Sequence, residues 1–535
     1  MKILFRIFLT LILILTTARA DAAGEKILYI PVDDRPITFK QTTEIVRAAG
    51  YEMITPPKSY LSRYDNGQSF DKLWSWLEEN ISEVDAAVIS ADAVIYGGLI
   101  PSRKHEFLAE NLNARVNRFK ALRDKNPHLK IYVLSSLMRA PYEGSAGSVE
   151  EPDYYAQYGK SIFRYTQLAD KEKIAGLNSY EREELNDSRK NIPDEFLNDW
   201  LSRRQKNLDV TKKLIDLTAE GIISYLIIGR DDHQEFSQTQ RENRELLSYV
   251  QEKNISKDKL QILSGIDEFG LVLLTRAVDD LNGDVPKVYA QYNKGVGSMT
   301  FPAYSDEVVS ESVEDELKIM GGELVNNPQD AEFILLVNTD PFGETYHSHN
   351  SSPFTRNKNF DYNAPRDGTR YFVDMVERYV NEGYKVCVAD VTFGNGADNP
   401  MMNMLKERDL LFKLQAYAGW NTATNSIGYS LGTGILARHM STYDKDKLLA
   451  IRYLDDWGYQ ANVRTTVGDW IYHNISDGAK FYSNFGGKNY EIENTITNFL
   501  REFAANHLPP FDYLKNFNVT CAWNRMFEIE IEFNE

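Results

Sequence analysis

Cysteine is almost absent from this sequence of 535 residues, which contains only Cys387 and Cys521. Two cysteines cannot form a disulfide framework or a four-cysteine zinc site, and their spacing leaves open whether they pair with each other. Histidine is also scarce, with eight residues. Beyond the first 20 residues, no stretch approaches the ~18 consecutive apolar residues that indicate a membrane-spanning helix. We therefore expect no integral membrane segment once that first stretch is removed.

Acidic residues outnumber basic ones, and several motifs for nucleotide binding or for a catalytic nucleophile are lacking. The formal net charge is −18, and an acidic protein repels a phosphate backbone, so we expect no nucleic-acid partner. The glycines at 394–396 are not followed by the Lys-Ser/Thr of a phosphate-binding loop, and those at 295–297 do not form a dinucleotide fingerprint. No serine lies in a Gly-x-Ser-x-Gly turn, which disfavours a serine hydrolase.

The first 20 residues are typical of a signal peptide. Lys2 and Arg6 provide a positive start, residues 7–15 are largely apolar, and residues 18–20 read Ala-Arg-Ala, a small-x-small cleavage site. The apolar part is short for a membrane span, although an uncleaved anchor is the alternative. We expect a protein that is secreted or located in the cell envelope, in the periplasm.

Short apolar runs alternate with helix-length segments along most of the remaining sequence. This alternation predicts an α/β fold of repeated βα units with parallel sheets. Ten runs are predicted strands, at residues 26–32, 51–55, 85–90, 130–134, 222–229, 261–265, 287–292, 331–337, 385–389 and 414–418.

The ten units favour two lobes, because they are too many for one barrel. We assign residues 24–284 to an N-terminal lobe and 285–440 to a second lobe. The alternative is a (β/α)8 barrel with additions, which explains why nearly every strand ends in a polar residue. Residues 441–535 are predicted to be mainly helical, with a final half-buried strand in which Phe527, Ile529, Ile531 and Phe533 alternate with acids. A polar, Tyr-rich insertion at 141–191 is predicted to cover a cleft.

Acidic residues cluster at the ends of the predicted strands. Chemistry in parallel α/β folds lies at these C-terminal strand ends. Two neighbouring strands end in adjacent acids, and we predict that Asp231, Asp232, Asp267 and Glu268 are catalytic. Residues that follow other strands are predicted to bind the substrate: Asp33, Asp34, Arg35, Asp92, Arg103, Arg139, Arg230, Asn338, Asp390, Asn395, Asp398, Trp420 and Asn421.

Six stretches in order resemble a bacterial family of unknown function, catalogued as domain of unknown function four-one-two-seven. The stretches are Ile-Pro-Val-Asp-Asp-Arg-Pro at 30–36, Tyr-Gly-Gly-Leu-Ile-Pro-Ser-Arg at 96–103, Gly-Arg-Asp-Asp at 229–232, Gly-Ile-Asp-Glu-Phe-Gly at 265–270, Asn-Gly-Ala-Asp at 395–398 and Ala-Gly-Trp-Asn-Thr at 418–422. The resemblance implies a bacterial envelope or secreted α/β protein and implies no particular reaction.

Paired carboxylates on rigid strand ends are what glycoside hydrolysis requires, because one acid protonates the leaving oxygen while the other acts as nucleophile or base. The dipeptide Asp267-Glu268 resembles the strand end of retaining β-N-acetylhexosaminidases, and Asp231-Asp232 resembles the pair of another substrate-assisted family. The resemblance implies that Glu268 or Asp232 is the acid. We also expect Trp420 and tyrosines to stack on sugar rings. The sequence thus favours a secreted glycoside hydrolase without a cofactor.

Three other interpretations stay open. Acids at strand ends also cap the helices that follow them. A metal-dependent hydrolase of the amidohydrolase type is the second, with zinc or manganese bound by oxygen and nitrogen ligands from Asp231, Asp232, His233, His347, His349, Asp340, Asp390 and Asp398. A secreted carbohydrate-binding protein without catalytic activity is the third possibility.

Overall fold

A computed structural model of the protein describes residues 24–63, 70–142, 150–231, 234–347, 361–475 and 484–534. The predicted signal peptide, Asp232, His233 and His349 lie outside these residues. The described strands are β1 (Lys26–Ile30), β2 (Glu52–Ile54), β3 (Ala86–Ser90), β4 (Lys130–Ser136), β5 (Tyr225–Arg230), β6 (Leu260–Ser264), β7 (Lys287–Tyr292), β8 (Glu323–Leu324), β9 (Phe333–Asn338), β10 (Tyr346–His347), β11 (Val386–Asp390), β12 (Phe393–Gly394), β13 (Ala416–Ala418), β14 (Phe517–Cys521) and β15 (Ile529–Phe533).

Helices follow most of these strands, as the repeated βα pattern predicts. The α-helices are α1 (Thr42–Ala48), α2 (Phe70–Asn80), α3 (Leu99–Lys104), α4 (Ala109–Lys125), α5 (Tyr155–Ile174), α6 (Ser179–Lys190), α7 (Asp194–Ala219), α8 (Gln238–Glu252), α9 (Phe269–Asn282), α10 (Val309–Ile319), α11 (Thr369–Asn381), α12 (Asn399–Glu407), α13 (Ala423–Leu436), α14 (Thr442–Arg452), α15 (Arg464–Asn474), α16 (Asn489–His507) and α17 (Asp512–Lys515). Three π-helical segments accompany them, Ile37–Gln41, Asp92–Tyr96 and Tyr453–Val463. Among the described residues, no helix combines the length and apolar character needed to cross a bilayer.

The α/β prediction with parallel sheets is confirmed, and all ten predicted strands form. Six make a parallel sheet in the order β2-β1-β3-β4-β5-β6, and the other four join β8 in a second parallel sheet, in the order β13-β11-β9-β7-β8. The change of sheet falls between β6 and β7, where we expected the boundary at 284 and 285. The final strand was also predicted correctly, but its antiparallel partner β14 was not.

A shared hydrophobic core connects the two sheets. Helices α9 and α13 pack against each other, and their buried side chains form one cluster with strand residues of both sheets, such as Val88 and Leu335. Burying a side chain of this kind contributes roughly 1.5–3 kcal/mol, so this layer holds the sheets together. The packing explains why α9 is apolar almost all round, with Leu271, Leu273 and Leu274 all buried.

The described part of the insertion is a helical hairpin. Its helices α5 and α6 pack on each other, and α6 begins with a capping box formed by Asn178 and Glu181. A small core that includes Phe163 and Trp200 attaches the hairpin to α7. The described helices of the insertion therefore pack around a small core of their own. Pro141, Tyr142 and Glu150 of the insertion lie at the cavity described below.

Candidate functional site

A cavity with a volume of about 540 Å³ lies where the C-terminal ends of both sheets meet. Strands β4, β5 and β6 of the first sheet and β13 of the second sheet end at its wall, and so does the turn between β14 and β15. Open α/β sheets bind ligands beyond the carboxyl ends of their strands. Eight of the residues predicted from the sequence line it: Arg35, Arg103, Arg139, Arg230, Asp231, Asp267, Asn395 and Asn421.

Adjacent strands place Asp231 and Asp267 on the same wall. The pairing of β5 and β6 puts Arg230 opposite Ser264, so Asp231 follows one strand directly and Asp267 lies three residues beyond the other. Parallel neighbours are ~4.8 Å apart, which keeps both acids near each other. Gly229 permits this arrangement, because a Cβ atom there would lie 2.4 Å from the carbonyl oxygen of Gly265.

Asp231 faces the cavity between two guanidinium groups. Its Oδ2 lies 3.4 Å from Arg103 Nη2 and 3.9 Å from Arg139 Nη1, and 43% of its side chain is exposed. The carboxyl group of Asp231 lies in a recess, where surrounding protein atoms replace much of the bulk water. This burial raises the pKa of Asp231. The two arginines oppose the rise, whereas the negative charge of Asp267 adds to it. The pKa of Asp231 therefore lies above that of an ordinary aspartate side chain.

Asp267 is instead held by a strong ion pair. Arg35 donates to it through both terminal nitrogens, at 2.5 and 3.3 Å. The same guanidinium donates to Asp33 and Glu528, each at 2.9 Å. Burial lowers the pKa of Arg35, but these carboxylates raise it well above its ordinary value, so Arg35 stays charged. A carboxylate in a forked contact of this kind is fixed in orientation.

Glu268 lies beneath the cavity and not on its wall. Its side chain has no exposed surface, accepts hydrogen bonds from Asn425 and from the backbone of Ile266, and leaves Oε1 without a partner. Burial raises its pKa to about 8. Gly265 covers it with φ of +115°, where a Cβ atom would lie 1.8 Å from Glu268 Oε1. In this position Glu268 does not line the cavity, whereas its neighbour Asp267 does.

The acids that follow β11 in the second sheet, Asp390 and Asp398, are buried in a hydrogen-bonded network. Asn338 donates to Asp390 at 2.9 Å and to Asp398 at 3.0 Å, and Arg366 also donates to Asp398. Asp398 caps α12 by accepting from the backbone of Met401. Burial and the neighbouring Asp398 raise the pKa of Asp390 to about 7. For Asp398 the capping interpretation is therefore correct, and the predicted binding residues Asn338, Asp390 and Asp398 do not line the cavity.

Three further predicted residues lie away from the cavity wall. Asp33 and Asp34 are buried, with Asp34 accepting a hydrogen bond from Trp523 Nε1 at 2.7 Å. Asp92 is buried and accepts from the backbone of Ser136 at 2.9 Å, and burial raises its pKa to about 7. They position the loops that follow β1 and β3.

The aromatic wall comes from an unexpected part of the sequence. Trp420, which we expected to stack on a sugar, is buried against the edge of Phe527. Trp523 and Phe527 line the cavity instead, together with Arg525. Trp523 has a φ of +57°, an outlier for a bulky residue and a kind of strain that clusters at functional sites.

The other cavity residues that sequence reasoning missed lie in loops or in the first turn of α3 and α13: Leu99, Ile100, Ala140, Pro141, Tyr142, Glu150, Gln234, Gly265, Ile266, Tyr304, Thr422, Thr424 and Asn425. Pro141, Tyr142 and Glu150 belong to the insertion at 141–191, so the insertion contributes described residues to the cavity wall. The alternating Phe517, Val519 and Cys521 are a strand signal that could have revealed the β14–β15 turn.

No group of three or more His, Cys, Asp or Glu side chains within the described ranges is placed to hold a metal ion. Of the predicted metal ligands, Asp232, His233 and His349 lie outside these ranges, and the finding concerns the others. Cys387 and Cys521 are both buried and free, which answers the question of their pairing.

Comparison with known proteins supports the resemblance seen in the motifs. The profile of a family described as "Protein of unknown function (DUF4127)" matches residues 27–532. The chain belongs to this family. Searches of curated proteins and of solved structures gave no match. The DUF4127 description assigns no reaction, so a function must be argued from the cavity.

Proposed function

We propose that the protein is a glycoside hydrolase in which Asp231 is the general acid and Asp267 is the second carboxylate. The supporting observation is that adjacent strands bring these two acids to one cavity in different electrostatic environments. Glycosidases need such a difference, because one carboxyl must carry a proton while the other is ionised.

In the proposed reaction, Asp231 gives its proton to the leaving oxygen as the bond to the sugar breaks. Asp267 acts at the anomeric carbon, as nucleophile or as the base that activates water. Its contact with Arg35 orients the carboxylate. Asp232 remains a predicted catalytic residue next to Asp231.

The cavity wall suits a sugar in shape and composition. Trp523, Phe527 and Tyr304 supply aromatic surfaces, and Asn395, Asn421, Thr422 and Asn425 supply polar groups around them. Sugar binding combines ring stacking with hydrogen bonding to hydroxyl groups. The backbone φ of +59° at both Asn395 and Asn421 places these two residues in the left-handed region.

Turnover of a panel of aryl glycosides tests the proposal. The wild-type protein should release the aryl alcohol from at least one member, and Asp267→Asn should abolish that release. Thermal unfolding of the variant should remain cooperative, since Asp267 lies at the wall. Cleavage that continues at the wild-type rate in Asp267→Asn would refute the assigned role.

We also propose that the protein is secreted or periplasmic, on the basis of its first 20 residues. N-terminal sequencing of protein from its native host should begin near Asp21. Recovery of intact Met1 in the cytoplasmic fraction would contradict secretion.

A further inference from the structure

Two loops at the C-terminal edge of the second sheet carry large apolar side chains that are exposed. Phe342 is 74%, Phe301 is 63% and Met299 is 60% exposed, and Val296 is exposed as well. These four residues form the apolar patch. The stretch 295–304 contains no charged residue, although 26% of the chain is charged. Exposed apolar side chains that are concentrated in this way are typical of a binding surface.

Backbone contacts hold the two loops together. The loops follow β7 and β9, which are parallel neighbours. The Val296 N–H donates to the carbonyl oxygen of Pro341 at 2.9 Å, and the Ala303 N–H donates to Thr345 Oγ1 at 3.2 Å. Gly295 has a φ of +89°, and a Cβ atom there would lie 2.1 Å from the carbonyl oxygen of Pro341. The two loops therefore form one surface with a fixed backbone.

Tyr304 connects the apolar patch to the cavity. It follows Phe301 by three residues, is itself exposed and lines the cavity. Its φ is +67°, which is an outlier for a bulky residue and a form of strain that clusters at functional sites. The apolar surface thus continues from the cavity wall to the exposed loops.

The loop that carries Tyr304 is attached beside the proposed general acid. Glu307 pairs with Arg230 at 2.6 Å, and Asp306 also contacts Arg230. Arg230 directly precedes Asp231. A general acid protonates the oxygen of the leaving group, so the aglycone of a glycoside lies on the side of Asp231. The loop therefore approaches the cavity from the side of the leaving group.

The charges around the apolar patch favour a ligand over a membrane surface. Proteins that bind anionic membranes combine apolar side chains with several Lys or Arg residues. Lys294 is next to the patch in the sequence, and it pairs with Asp367 at 2.7 Å. The formal net charge of −18 adds repulsion from anionic lipids. An apolar group on a small ligand is the occupant that these features favour.

We infer that the substrate is a glycoside with an apolar aglycone, which lies on the apolar patch while the sugar occupies the cavity. This inference rests on the proposed function. Complete burial of one methylene group raises an affinity about fourfold. Longer aglycones should therefore bind more tightly, up to the length that the patch covers.

Calorimetric titration with alkyl thioglycosides tests the inference without requiring turnover. The probes are methyl, butyl, hexyl and octyl thio-β-glucosides and thio-β-galactosides, used below their critical micelle concentrations with the protein that begins at Asp21. We expect at least one series to bind, with an affinity that rises about two- to fourfold per methylene group, because an exposed surface buries only part of each group. Equal affinities of the butyl and octyl members, or no binding of any octyl member, would overturn the inference.

Phe342→Ser should reduce the ratio of octyl to butyl affinity at least about threefold, because it removes apolar surface from the patch. Phe301→Ser should act in the same direction. Tyr180→Ser is the matched control, because Tyr180 on α6 is 72% exposed but belongs neither to the patch nor to the cavity wall. Thermal unfolding should change little in all three variants, since each side chain is exposed. An unchanged ratio in both phenylalanine variants would overturn the assignment of the patch.

Vesicle binding and self-association test the other occupants of the apolar patch. Sedimentation with phosphatidylethanolamine–phosphatidylglycerol vesicles and light scattering at increasing protein concentration are measured for the wild type and Phe342→Ser. Membrane binding or dimer formation that this substitution abolishes, together with glycoside affinities that do not depend on chain length, would overturn the inference. Absence of both effects beside a clear dependence on chain length would support it.

Binding and turnover separate the two proposals. Cleavage of aryl glycosides by a protein whose affinity for thioglycosides does not depend on chain length would refute the inference and leave the proposed function standing. Binding that depends on chain length and on Phe342, by a protein that cleaves neither aryl nor alkyl glycosides, would support the apolar site and refute the hydrolase.

Discussion

The C-terminal edges of the two sheets carry similar acids but use them differently. After β5 and β6, Asp231 and Asp267 face a cavity and pair with arginines on its wall. After β11, Asp390 and the nearby Asp398 are fully buried in a network with Asn338. One edge leaves its carboxyl groups accessible to a ligand, and the other uses them to fix loops.

The residues that follow each strand cause this difference. Gly265 turns the chain sharply after β6, so Asp267 points to the cavity while Glu268 lies beneath it. After β11, Asp398 begins α12 and its side chain is occupied as the helix cap. An acid at a strand end therefore marks the edge where a site can form, and the local turn determines whether the acid reaches that site.

The largest expected effect is on turnover, through the acids at the C-terminal edge of the first sheet, after β5 and β6. Asp231→Asn removes the proton donor but retains size and shape, so kcat/KM on an aryl glycoside should fall roughly 100- to 10,000-fold. A substrate with a better leaving group should recover part of the rate, because its departure needs less protonation.

Asp232→Asn, measured in parallel, distinguishes the two members of the pair, and the midpoint of urea unfolding serves as a control for folding. Wild-type rates in both variants would remove this pair from catalysis. A large loss only in Asp232→Asn would move the acid role to Asp232.

A large effect on the free energy of unfolding is expected from the acids at the C-terminal edge of the second sheet, after β11. Asp398→Ala removes the closer of the two buried carboxylates that contact Arg366, leaving Asp340 at 3.8 Å, and it removes the cap of α12. Breaking a buried ion pair from one side costs about 3–5 kcal/mol, and urea unfolding should show a decrease of this size in the free energy of unfolding.

Asp231→Ala is the matched change at the open edge and should cost less than about 1 kcal/mol, because Asp231 is partly solvated. Equal losses in the two variants would mean that the edges do not differ as described.

A smaller effect is expected at Glu268, which is buried below the open edge near Glu316, Asp267 and Asn425. Its pKa is raised from 4.5 to about 8. Between these values the folded protein keeps a proton that the unfolded chain has lost, so the free energy of unfolding decreases as the pH rises.

Glu268→Gln has no such proton. From pH 4.5 to 8, its stability should improve relative to the wild type by on the order of 1–4 kcal/mol. Burial also raises the pKa of Glu316, so Glu316→Gln should act in the same direction. Identical pH profiles for wild type and Glu268→Gln would show that this carboxyl does not titrate between folded and unfolded states.

Local sequence patterns predicted the strands because each strand is a short apolar run between polar turns. They also indicated the edge of the sheets at which the cavity lies, because polar residues follow the strands there. They could not show that Trp420 is buried and Trp523 lines the cavity, because this depends on how the β14–β15 turn packs against the first sheet. Tertiary packing likewise separates Asp267 from its neighbour Glu268, which no dipeptide pattern can do.

The smallest expected effect is that of a chelator on turnover by the acids that follow β5 and β6. Asp231 and Asp267 already contact guanidinium groups, and a divalent cation among Arg35, Arg103 and Arg139 would be repelled by them. Dialysis against a chelator should therefore leave aryl glycoside turnover unchanged, while Asp231→Asn abolishes it. If turnover disappears on dialysis and returns with zinc or manganese, the acids must act as metal ligands, and Asp232 and His233 are the next residues to replace. If instead the metal restores turnover only when Asp390 and Asp398 are intact, the second edge carries the chemistry and its description as a supporting network is wrong.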